Sequence, residues 1–172
     1  MDNVRFKISV FLKRINRCRG FGIQSPSDFS FVNDVVYQRS PYSEYAVLDK
    51  EFPSAGRFKR KLCRTFFRIS NHAQPRHYVF PEDVDDMVKA YLEHGCQMSK
   101  GDSTLYYDVE PTVFADGDCI IISDIYGRGS EVWNRLSANR NYTHLVMFDL
   151  YYFGVAFVKA TRFPELHTVN YY

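Results

Sequence analysis

Cys119-Ile120-Ile121-Ile122-Ser123 decides how the rest of the chain is read. Successive side chains of a strand point to opposite faces. An unbroken β-branched run is therefore apolar on both faces, as expected of a strand covered on both sides in a parallel sheet. Upstream, His77 to Phe80 and Leu105 to Val109 read as two further short strands. Between them Pro81 opens an expected helix with Glu82, Asp83, Asp85 and Asp86 in its first turn, where acids suit the helix dipole. Val84, Met87, Val88, Tyr91 and Leu92 supply its buried face and Gly95 stops it. Downstream, Ser130 caps a short helix with Trp133 and Leu136 inward. The chain then closes with His144 to Phe148, Phe153 to Val158 and Leu166 to Tyr171. Short turns join these runs and predict antiparallel pairing. The expected architecture is an α/β sheet, parallel in its centre and antiparallel at its C-terminal edge.

Helices come first. Val4, Ile8, Phe11, Leu12 and Ile15 repeat at helical spacing, and Gly20 and Gly22 stop that helix. Ser25-Pro26 starts a second, through Phe29, Val32 and Val36, which the Ser40-Pro41 step ends. A third spans Ala55 to Ile69, with Phe58, Leu62, Phe66 and Ile69 as its apolar stripe. Arg57, Arg60, Lys61, Arg64 and Arg68 fall together on another side of it, with no acid between them. The 172 residues are expected to form one domain, with a helical part over 1–70 and a sheet part over 77–172.

Composition narrows the function classes. The chain is 45% hydrophobic and 24% charged, as ordinary globular proteins are. Its 15 Phe and 13 Tyr predict a core or interface of flat rings. A net charge of +2 is too small to imply nucleic-acid binding by itself, so the clustering of charge matters more. Cys18, Cys63, Cys96 and Cys119 form no C-x-x-C pair and have no zinc spacing, and are expected to be reduced, without disulfides. No apolar run suits a signal peptide or a membrane span, so a cytoplasmic location is expected.

Two stretches carry a resemblance. The first is Arg19-Gly20-Phe21-Gly22-Ile23-Gln24-Ser25-Pro26, followed by Phe29, Phe31-Val32 and Ser40-Pro41-Tyr42. The second runs from Asp118 through Tyr126 and Glu131-Val132-Trp133 to Phe148-Asp149-Leu150 and Gly154-Val155-Ala156-Phe157. Together they resemble a bacterial class I S-adenosylmethionine-dependent methyltransferase family. The resemblance implies a shortened, truncated Rossmann-like (methyltransferase-like) sheet. The middle of the chain departs from the family. His77 to Phe80 runs into Pro81-Glu82-Asp83 with no glycine-rich turn, and its acids would repel the carboxylate of the cofactor. The space before Asp118 also holds too few residues for the family's further strand–helix units. No cofactor is therefore expected, and S-adenosylmethionine only if the family activity survives.

Three candidate chemistries stand out. Asp108, Asp124 and Asp149 each end a strand, where carboxylates could converge on Mg²⁺. Asp124 matches the position at which the resemblance implies a metal-binding, catalytic Asp in enzymes acting on hydroxyl groups. Set against this, Asp ends strands commonly because it favours turns. Gly127-Arg128-Gly129-Ser130 reads as a loop with an N-cap, lacking the third glycine of a phosphate-binding turn. His72, His77, His94, His144 and His167 show no ligand spacing. The basic face Arg57, Arg60, Lys61, Arg64, Arg68 could follow a phosphate backbone, with aromatic rings stacking on bases, or an anionic membrane surface, or it could be simply solvated or paired with the acidic Glu82 to Asp86 helix end.

Three functions follow as expectations. The favoured one is a non-catalytic methyltransferase-like module acting through a protein partner or homodimer. The others are a surviving methyltransferase-type enzyme, S-adenosylmethionine- or metal-dependent, and a nucleic-acid-binding protein using helix 57–68.

Overall fold

The computed structural model describes residues 12, 14–99 and 101–171. The expected helix over Val4 to Ile15 lies almost wholly outside them. Ile15–Gly20 is a 3₁₀ turn that Gly20 leaves at φ 73°, a backbone conformation that glycine adopts without a Cβ clash.

Ser25 caps α1 (Pro26–Ser30), with Pro26 at its first position. The chain continues as a wider turn over Phe31–Val36, closed by the bond from the Tyr37 N–H to the Val32 carbonyl. Next come α2 (Ser43–Glu51) and the long α3 (Arg57–Ala73), which ends at Gln74 in the left-handed region. After β1 (His77–Val79) the expected helix start moves downstream. Pro81 to Val84 is a turn, and α4 (Asp86–Gly95) begins only where the Asp85 carboxylate accepts from the Met87 and Val88 amides. The remaining elements are β2 (Thr104–Tyr107), β3 (Cys119–Ser123), α5 (Ser130–Thr143), β4 (Leu145–Asp149), β5 (Phe153–Val158) and β6 (Glu165–Thr168).

The six strands among the described residues form one sheet in the order β1-β2-β3-β5-β4-β6. β1, β2 and β3 are mutually parallel, and β5 runs antiparallel between β3 and β4. The expected combination of leading helices, a parallel part and antiparallel pairing towards the C-terminus is present. β4 and β5 pair antiparallel as expected, whereas the last run pairs differently. β6 follows β5 after a short connection, yet both sides of β5 are already taken, so β6 pairs parallel with β4 at the border.

Alternation along β3 explains its composition. Cys119 and Ile121 face the larger core with α2, α3 and α4, while Ile120 and Ile122 face a second core with Trp133 and Leu136 of α5. Helices thus cover both faces, and the all-apolar run follows from that. The larger core is built of rings: Phe31 lies 4.5 Å from Phe148 and 5.0 Å from Phe157 between centroids, and Phe66 lies 5.0 Å from Phe153. Burying each such ring contributes about 1.5–3 kcal/mol. This accounts for much of the aromatic surplus. Gly95 lets α4 approach α3, since a Cβ there would stand 2.3 Å from the Phe67 carbonyl oxygen. Cys63 and Cys119 are buried free thiols and Cys96 is a half-buried one. Among the described residues no helix is long and apolar enough to cross a membrane.

Candidate functional site

The five basic residues of α3 share one cavity of about 620 Å³, together with Arg39, Tyr42, Tyr45, Asp49 and Tyr171. One wall is α3, another is α2, and the segment Tyr37 to Tyr42 supplies a third. Six cationic side chains line it against a single acidic one, Asp49.

The cations divide into two groups. Arg60, Arg64 and Arg68 are tied into the fold. Arg60 donates to the carbonyls of Phe52 at 2.8 Å and Ala55 at 3.0 Å, closing the α2–α3 connection, and stands 2.9 Å from Asp49. Arg64 pairs with the other Asp49 oxygen and lies over the Tyr45 ring at 5.0 Å. Its Nε is buried and has no hydrogen-bond partner. Arg68 is 8% exposed and donates to the Val35 carbonyl at 2.6 Å, the Val36 carbonyl at 3.0 Å and the Thr65 hydroxyl at 2.9 Å. Its charge is solvated by dipoles alone, with no carboxylate beside it among the described residues.

Arg39, Arg57 and Lys61 have no ion-pair partner among the described residues. Lys61 Nζ lies 4.3 Å from the Tyr171 ring centroid. Burial, and then repulsion by Arg68 and Arg39, holds its ammonium below the ordinary lysine pKa. Burial would raise the Asp49 pKa, but the Tyr91 hydroxyl and the Arg64 and Arg60 guanidiniums outweigh it and keep the carboxylate ionised. The cavity is thus a concave, strongly positive site with one built-in anion on its wall. The stripe was legible from spacing along α3. Arg39, Asp49, Tyr45 and Tyr171 were not, because three separate segments bring them in. Among the described residues only Lys59, outside the stripe, reaches the acids before α4, at 2.5 Å from Asp85.

The three strand-end carboxylates lie on one edge of the sheet, since β2, β3 and β4 run the same way. Each has its own partners. Asp108 accepts from the Ser123 amide and hydroxyl, both at 2.6 Å. Asp124 accepts from the Arg128 amide at 3.0 Å, within the turn that leads to α5. Asp149 is buried and accepts from both Nη atoms of Arg14 at 2.9 Å and from the Tyr126 hydroxyl. Among the described residues, the three acids or histidines close enough to share an ion are instead Asp28, Glu165 and His167. There Arg162 already bonds both Asp28 oxygens, while His167 Nε2 lies 3.0 Å from one of them. The Gly127-Arg128-Gly129 turn precedes α5 with Gly129, not Ser130, as the capping residue. A second cavity of about 350 Å³ opens at the strand ends between the Pro81–Asp85 turn and Gly129, with Asp83, Asp85 and Asp108 in its lining.

Leading helices, a mixed six-stranded sheet and helices on both faces place the chain among α/β proteins of Rossmann-like arrangement. No protein-family model, curated protein or solved structure matches it.

Proposed function

We propose that this chain binds a phosphate-bearing ligand in the basic cavity between α2 and α3. The observation that carries the reading is the grouping of six cationic side chains around one acid in a concave space, three of them without an ion-pair partner among the described residues. Concentrated charge of one sign in a low-dielectric cleft focuses the field and draws in anions. Arginine supplies the planar donor fork that suits phosphate oxygens. The cavity at the sheet edge is less basic, with Asp83, Asp85 and Asp108 against Arg128 alone. The test is thermal unfolding with phosphate, pyrophosphate, adenosine monophosphate and a single-stranded 12-mer DNA. A ligand at about 100 times its dissociation constant raises Tm by a few degrees. The shift should shrink with added salt and vanish in Arg57→Gln/Lys61→Gln. No shift with any of the four sinks the reading.

A second reading, contact with a protein partner or a second copy, draws on β6. This border strand carries Leu166, 42% exposed, and is preceded by Phe163, 90% exposed. The Asp28–Arg162 pair brings the segment carrying Phe21 and Phe29, also exposed, against it. Exposed apolar groups of this kind mark contact surfaces. Sedimentation velocity over a hundredfold concentration range tests self-association. A monomer throughout, unchanged by Phe163→Ser, removes the homodimer.

A further inference from the structure

We infer that the cavity takes a chain of linked phosphates, as in inorganic triphosphate or a nucleotide's 5′ tail, in preference to isolated phosphate monoesters or a nucleic-acid backbone. The inference rests on the phosphate reading above and narrows it. Charge is concentrated, not strung out. Arg57 and Lys61 are one helical turn apart on α3, and Arg39 faces the same cavity from the Tyr37–Tyr42 segment. These three cations meet in one space of about 620 Å³, inside the range of small-molecule sites. Arg39 and Arg68 are near enough to Lys61 to depress its basicity, so the cluster is held together against its own repulsion. A strand of nucleic acid carries one charge per phosphate along a line and leaves most of them outside such a cavity. Linked phosphates put several charges where the cations converge. Arg64 lines the site as well, with one terminal nitrogen held by Asp49.

Asp49 sets the selectivity. Its carboxylate neutralises Arg60 and Arg64 and occupies the anion position on that wall. An incoming phosphate must tolerate it, so a ligand of low charge gains little, while one carrying three or four charges still finds a net positive site. Removing the carboxylate should help every anion and the weakly charged ones most.

The experiment is calorimetric titration of the intact chain with inorganic triphosphate, adenosine triphosphate, adenosine monophosphate and single-stranded 12-mer DNA at fixed ionic strength. Triphosphate is expected to bind at least about tenfold more tightly than the monophosphate, the gain of one further charge-assisted contact. Arg57→Gln/Lys61→Gln should cost about tenfold or more, with Arg135→Gln, on α5, as the unaffected control. Asp49→Asn should narrow the preference for triphosphate. Equal affinity for inorganic triphosphate and adenosine triphosphate places recognition in the phosphate chain, and tighter adenosine triphosphate adds the nucleoside; both support the inference. Monophosphate or DNA binding as tightly as triphosphate, still lost in the double variant, overturns the inference and leaves the phosphate reading standing. Binding of none of the four overturns both. Circular dichroism of each variant separates lost binding from lost folding.

Discussion

The Tyr91 hydroxyl on α4 donates to the Asp49 carboxylate on α2 at 2.6 Å, and that same carboxylate holds Arg60 and Arg64 of α3. Three helices therefore meet at one acid. Asp49→Asn should lower stability by about 1–2 kcal/mol, the cost of weakening a charge-assisted network. It should also raise anion affinity, because it frees two guanidiniums. A melting curve and a triphosphate titration of one preparation check both signs. A variant that loses stability and affinity together would show that Asp49 acts only by shaping the wall.

Asp28 sets the acid limit of the fold. Its side chain is buried. Burial would raise its pKa, yet Arg162 and His167 together hold it far below the ordinary carboxylate range. A depressed carboxylate contributes stability that is full above the unfolded value of 3.8 and is lost as pH falls towards the folded pKa. Asp28→Asn should therefore flatten the acid limb of a plot of stability against pH between about 5 and 2. It should cost about 1–3 kcal/mol at pH 7, because Arg162 keeps 28% of its side chain exposed and has Glu165 nearby. Urea unfolding at a series of pH values gives both quantities.

Arg14 fastens the N-terminal segment to the sheet. It donates to both Asp149 oxygens and to the Tyr126 hydroxyl at 2.7 Å, and lies over the Tyr126 and Tyr151 rings. Arg14→Ala leaves Asp149 buried with its charge unanswered and should cost about 3 kcal/mol. Arg14→Ala/Asp149→Asn should recover part of that loss. A double-mutant cycle that shows no coupling would remove this clasp.

Gly154 is fixed by contact and not by backbone angle. A Cβ at that point of β5 would stand 2.3 Å from the Trp133 ring, which lies flat over the strand. Gly154→Ala should destabilise by about 1–3 kcal/mol through overpacking. Gly154→Ala/Trp133→Leu should restore most of it, and near-ultraviolet circular dichroism of the only Trp in the chain reports the ring's displacement.

Elements with a strong period were legible in the sequence. The isoleucines of β3, the basic stripe of α3 and its Phe66 and Ile69 stand where spacing put them, because burial on two faces, or on one side of a helix, writes itself into local order; Phe58 is exposed instead, and Cys63 and Phe67 join the buried face. α2 was missed because only Tyr45 and Leu48 of its nine residues are buried, too few to mark a face. The start of α4 was displaced because Asp85 wins the capping position over the proline upstream. The direction of β6 relative to β5 was right and its neighbour was wrong: turn length reports orientation, while pairing depends on which ladder edges remain free. The site divides the same way. Its cationic wall is local and readable. Its counter-anion Asp49, its third open cation Arg39 and the Tyr171 ring come from segments far apart in sequence, and no spacing rule joins them.

The placement of β5 governs the order in which the molecule can be built. β4 is not paired with β3; the two halves of the sheet are joined through β5, made later than both. A chain leaving the ribosome can pair β1, β2 and β3 early, but must hold β3's open ladder until Phe153 to Val158 emerge. Assembly therefore needs an insertion in the middle before β6 can close the border, and a synthesis pause before residue 153 would leave an unpaired apolar strand edge open to other chains.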